Sequence, residues 1–79
     1  MKLQDAIGGT IRHIRLEKNM TMRDVSVKGF ISLGHLSEVE SGHKSASPGV
    51  LEGIAKGLDI TTSELVKEIY EYLKENNNE

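Results

Sequence analysis

The stretch from Thr21 to Lys44 leaves few arrangements open, because its start, break and stop signals lie close together. Thr21 is a helix N-cap residue with Asp24 three positions on, a weaker relative of the Ser/Thr-x-x-Glu capping box. Apolar residues follow at Val25, Ile31, Leu36 and Val39, placed to share one core. Ser32 can cap a second helix, and Gly42 supplies a natural left-handed stop for it. The spacing predicts helices over Met22 to about Lys28 and Leu33 to about Ser41. Two helices joined by so short a link must cross steeply. The second helix then projects its first turn away from the core.

The rest of the chain reads as three more helices. The first runs from about Asp5, its expected cap, to Lys18, with Ile7, Ile11 and Ile14 on one face. Gly8 and Gly9 cost that helix about 1 kcal/mol each against alanine. They either fray its start or let another backbone come close. Asn19 is an expected left-handed C-cap, and Met20 packs inward before Thr21. Ser47-Pro48 is a firm restart, with serine as N-cap and proline at the first helical position. The fourth helix carries Val50, Leu51, Ile54, Ala55 and Leu58 at helical spacing. Thr61 and Glu64 form a capping box for a fifth, which shows Leu65, Val66, Ile69, Tyr70, Tyr72 and Leu73. Strand patterns, internal repeats and long linkers are absent from the sequence. The fold class is all-α, five helices in one domain over residues 1–75. Residues 76–79 are polar and uncapped, and are expected to form a disordered tail.

Charge refines the picture. The net charge of −2 argues on its face against nucleic-acid binding. Its distribution does not. Residues 1–48 hold seven cations and five acids, whereas residues 49–79 hold three cations and seven acids. A mildly basic front and an acidic back suit a protein that meets DNA with one face; they also suit two ordinary solvated faces. The chain has no cysteine, which excludes disulfides and thiolate metal sites. Neither a signal-peptide pattern nor an apolar run of the ~20 residues that span a bilayer is present, so the expected setting is the cytoplasm, with no membrane partner. His13, His35 and His43 lack metal-ligand spacing, so no metal and no cofactor are expected. Gly29 to Gly34 has the glycine spacing of a phosphate loop, but His35 stands where lysine is required. With no nucleophile elbow and no buried carboxylate pair, an enzyme is not expected.

The residues from Ile7 to Leu65 resemble a Cro/C1-type (xenobiotic-response-element type) helix-turn-helix domain. The likeness rests on Ile11-Arg12 and Ile14-Arg15, Thr21 with Val25-Ser26, Ile31-Ser32, the run Leu36 to Gly42, Leu51 with Ile54-Ala55 and Leu58, and Ser63-Glu64-Leu65. The segment Ser32 to Lys44 is most similar to actinobacterial activators of Clp protease genes. The resemblance implies a compact, lambda-repressor-like five-helix domain that binds an inverted-repeat operator as a homodimer and regulates transcription. By position, Leu33, Gly34, His35 and Glu38 would read bases. Thr21, Met22, Arg23, Ser32, Ser37, Ser41, His43 and Lys44 would meet phosphates. Three positions depart from the family pattern. Met22 stands where glutamine is common, although its backbone N–H near a helix start can still serve. Phe30 stands where glycine is frequent, with Gly29 just before it. Ser41 and His43 replace arginines of the similar subfamily, so nonspecific affinity should be low.

Each of these residues has a plainer reading too. Leu33 meets a thymine methyl or packs on the second helix. Gly34 admits the backbone to the groove floor or is merely tolerated. His35 donates to guanine or sits on the surface; Glu38 accepts from a cytosine amino group or is a solvated acid that repels phosphate. Arg23, Lys28, His43 and Lys44 contact phosphate as a set or are solvated cations. Glu40 is expected to tie the recognition helix to Arg15. On the fifth helix, Leu65 and Ile69 close the core, while Val66, Tyr70 and Leu73 form a second apolar stripe. That stripe is a two-fold dimer interface or a more deeply wrapped helix. A dimer would set two recognition helices about 34 Å apart, matching successive major-groove turns. The rival function is a protein-interaction module of the same fold, whose acidic, apolar fifth helix docks on an unknown protein partner.

Overall fold

The structure is a computed structural model and describes residues 1–76. Five α-helices follow in order: α1 (Leu3–Glu17), α2 (Met22–Gly29), α3 (Leu33–Glu40), α4 (Pro48–Gly57) and α5 (Thr62–Glu75). Four of the five begin at the side-chain caps read from the sequence. Thr21 accepts from the Asp24 N–H, Ser32 from His35, Ser47 from Val50 and Thr61 from Glu64. Both capping boxes are complete, with the acid returning to the cap N–H at 2.8 Å in each. The exception is α1. It starts at Leu3 with Lys2 as an N-cap that makes no side-chain bond, and Asp5 lies inside its first turn instead of capping it.

One core joins all five helices. Ala6, Ile7, Ile11, Ile14, Val25, Leu36, Val39, Ile54, Ala55, Leu58, Leu65 and Ile69 are buried together. Met20, Ile31, Val50, Leu51, Tyr72 and Leu73 close its edges, half-buried. Helix α1 packs on α3 and α5, and α2 packs on α3 and α4. Glycine makes two of these contacts close. A Cβ at Gly8 would strike the carbonyl of Glu40, so α1 and the end of α3 meet backbone to backbone. Of the two roles open to Gly8, close approach is the one found. Gly29 likewise lies against the Gly53 carbonyl, where α2 crosses α4.

The α2–α3 turn falls at the position where the family pattern frequently has glycine. Phe30, not Gly29, takes the left-handed conformation, with φ 54°. Gly29 is the last residue of α2 and is needed there for its missing side chain. Phe30 therefore bears the strain, of order 1–2 kcal/mol for a non-glycine residue. Its ring is 87% exposed and lies under the Lys56 ammonium, 5.1 Å from the ring centroid. Asn19 and Asp59 take the left-handed conformation after α1 and α4, and Gly42 does so after α3. Asn76 caps α5 and its side-chain amide donates to the Tyr72 carbonyl at 2.8 Å. The remainder of the expected tail lies outside the described residues.

Candidate nucleic-acid interface

The rotation of α3 about its own axis decides what it offers to a partner. Leu36 and Val39 are fully buried and hold one side inward. Glu40 fixes the same side from the other end of the helix. Its carboxylate receives two bonds from the Arg15 guanidinium, Nη2 to Oε1 at 2.6 Å and Nε to Oε2 at 3.2 Å. Arg15 also donates to the Met20 carbonyl at 3.1 Å. The two side chains are only 11% and 6% exposed, so this is the buried, bidentate pair expected from the sequence.

With that side fixed, Gly34, Ser37, Glu38 and Ser41 face outward and are exposed. Leu33 is 40% exposed and does not bury itself against α2. A Cβ at Gly34 would meet nothing within 4 Å, so no internal contact requires glycine there. His35 stands at the flank. It is half-buried and lines a groove of about 240 Å³ with Phe30, Ile31, Gly49 and Gly53.

The start of α2 lies beside this face. Thr21 is exposed, and its capping bonds hold the Asp24 carboxyl below its ordinary value, the Thr21 N–H first and its hydroxyl second. The Met22 side chain is half-buried and packs on the core. The first-turn N–H of Met22, like that of Arg23, has no acceptor inside the helix. Arg23 is exposed and makes no ion pair among the described residues.

Beyond α3 the chain folds back on it. The N–H groups of His43 and Lys44 both donate to the Glu38 carbonyl, at 2.9 and 3.2 Å. The Ser41 hydroxyl also donates to that carbonyl at 3.1 Å and lies 2.8 Å from His43 Nδ1. Lys44 reaches the Glu38 carboxylate at 3.4 Å with both side chains more than half exposed. Such a pair contributes about 0–1 kcal/mol, so exchanging it for a phosphate costs little.

The structure brings some of the sequence-assigned residues together. A cleft of about 200 Å³ brings Met22 together with Ser37 and Ser41, and Arg12 from α1 joins them. Ser32 caps α3 at the adjoining turn, with His43 and Lys44 at its other end. Lys28 belongs elsewhere, paired with Asp59 at 2.6 Å beside α4. Val66, Tyr70 and Leu73 lie on α5, which packs against α1 and α4. Val66 is 50% and Tyr70 59% exposed, whereas Leu73 is half-buried against the core edge. Among the described residues no cluster of His, Asp or Glu could hold a metal ion. No helix there is long and apolar enough to cross a membrane.

Two capped helices joined by a short turn and packed on each other, the second oriented by a buried ion pair, form a helix-turn-helix. The model of the helix-turn-helix family matches residues 11–65, and the chain belongs to this Cro/C1-type family of transcriptional regulators. It is 34% identical over 61 residues to the transcriptional regulator ClgR of Mycobacterium tuberculosis, covering 77% of this chain and 54% of that protein. The chain therefore spans about half the length of the curated relatives it matches. The crystal structure of the clp gene regulator ClgR from Corynebacterium glutamicum superposes with a TM-score of 0.86 at 26% identity, over 98% of this chain and 82% of that one. The wild-type restriction-modification controller protein C.Esp1396I does so with 0.86 at 25% identity, over 96% and 99%. These relatives are named as regulators.

Proposed function

We propose that the protein binds double-stranded DNA in the cytoplasm as a homodimer on an inverted-repeat operator, and there regulates transcription. The observation that carries this reading is the fixed outward face of α3. Leu36, Val39 and the Arg15–Glu40 pair spend the inward side, which leaves Leu33, Gly34, His35 and Glu38 for base edges in a major groove. Thr21, Met22, Arg23, Ser32, Ser37, Ser41, His43 and Lys44 surround them with hydroxyls, free N–H groups and cations for phosphates. Few of these carry charge, so one domain holds DNA weakly and two in register are needed. Val66 and Tyr70 supply the apolar surface for pairing, with Leu73 at its inner edge. Sedimentation equilibrium combined with duplex titration tests this. The expected result is two copies per operator, and loss of both dimer and binding in Tyr70→Glu. A wild-type protein that binds its operator as one copy overturns the dimer.

A further inference from the structure

The cleft between α1, the start of α2 and the middle of α3 contains a cation for which the fold has no use. Arg12 and Arg15 lie one turn apart on α1 and have opposite fates. Arg15 is buried and its guanidinium is spent on Glu40 and the Met20 carbonyl. Arg12 is exposed and makes no ion pair and no side-chain hydrogen bond among the described residues. It shares the cleft with Met22, Ser37, Glu40 and Ser41. Glu40 does not neutralise it, because both carboxylate oxygens are engaged by Arg15. The Ser37 hydroxyl has no partner among the described residues. The Ser41 hydroxyl is held only by bonds at the surface. The first-turn N–H of Met22 lacks an acceptor in its helix. Arg12 and the unpartnered Ser37 hydroxyl thus share one opening with Met22 and with Ser41, whose hydroxyl can exchange its exposed bond to the Glu38 carbonyl for another acceptor. This donor set suits the non-bridging oxygens of a phosphodiester.

The geometry points to Arg12 as a DNA-backbone contact on α1 that completes a phosphate site with Ser37, Ser41 and the Met22 N–H. It rests on the DNA-binding reading and adds a helix to the interface. It also explains how the chain manages with methionine at position 22. The side chain there packs inward, and Arg12 supplies from α1 the side-chain donor that position 22 lacks.

The test is the salt dependence of binding to the selected duplex for the wild type, Arg12→Ala, Arg12→Lys and Lys18→Ala, each first shown to keep the wild-type melting temperature. Loss of one phosphate contact lowers the slope of log K against log salt by about 0.9. The wild-type advantage over Arg12→Ala should therefore shrink about threefold between 50 and 200 mM salt. It should be the same on every sequence, so that the preferred site does not change. Arg12→Lys should restore the slope, and Lys18→Ala should leave it untouched. A wild-type slope in Arg12→Ala overturns the assignment while the DNA-binding reading stands. A wild type that binds no duplex at low salt fails the DNA-binding reading itself. A changed preferred site in Arg12→Ala makes Arg12 a base reader and overturns the phosphate role.

Discussion

Replacing Glu40 by alanine should remove about a quarter or more of this domain's stability. The substitution leaves the Arg15 guanidinium 11% exposed with only the Met20 carbonyl as acceptor. Breaking a buried pair by removing one partner costs about 3–5 kcal/mol. The retained carbonyl bond argues for the lower figure, about 3 kcal/mol. A domain this size holds roughly 4–12 kcal/mol in all, at 0.05–0.15 per residue. Each kilocalorie moves the midpoint of a small domain by about 4–8 °C, so the melting temperature should fall by about 12–24 °C. Two further variants isolate the cause. Arg15→Met with Glu40→Leu removes both charges and should recover much of the loss, since apolar replacement of a whole buried pair is often neutral. Glu38→Ala breaks only the exposed pair with Lys44 and should cost no more than about 1 kcal/mol. Thermal unfolding followed by circular dichroism measures all three. A fall below about 4 °C for Glu40→Ala, or no recovery in the double variant, would refute the view that this pair locks α3 in place.

The α2–α3 turn gives a prediction of opposite sign. Phe30→Gly removes left-handed strain and discards only an exposed ring under Lys56, so it should stabilise the fold by about 1 kcal/mol; a destabilised variant would show that the ring contributes more than its exposure suggests. Gly29→Ala drives a methyl group onto the Gly53 carbonyl and should cost about 1–3 kcal/mol in chemical denaturation. A neutral Gly29→Ala would mean that α2 and α4 are less tightly opposed. The Glu64 carboxyl lies below its ordinary 4.5, held there first by the Thr61 N–H and then by its hydroxyl. Its contribution is therefore present above the unfolded value and fades as pH falls through the lowered folded one. Glu64→Gln should lose stability against the wild type near neutral pH and match it more closely in acid. A gap that stays constant from about pH 7 to pH 3 contradicts this sign.

Much of the fold was legible because its punctuation is local. Thr21, Ser32, Ser47-Pro48 and Thr61 each fix a helix start within four residues, and each was found where the sequence put it. The start of α1 was not legible, since Lys2 begins it without any side-chain bond and Asp5 gave a false signal. Which of Gly29 and Phe30 takes the left-handed turn was not legible, for a tertiary reason. Local propensity assigns the left-handed residue to Gly29, but packing against Gly53 needs that glycine inside α2 and passes the strain to Phe30. The partner of Glu40 could be named from sequence, because the family that the chain resembles commonly ties this helix to a basic residue of the first. The separate exposure of Arg12 could not, because periodicity put both arginines on one polar side. Likewise, the inward packing of the Met22 side chain was not legible, because position 22 lies outside the apolar spacing of the second helix.

The most direct test is selection from a pool of random duplexes with the unaltered protein. An outward α3 on a paired domain predicts enrichment of an inverted repeat whose half-sites lie one helical turn apart, about 34–36 Å centre to centre. No enrichment at low salt would contradict that account and leave the protein-interaction module as the reading of this fold.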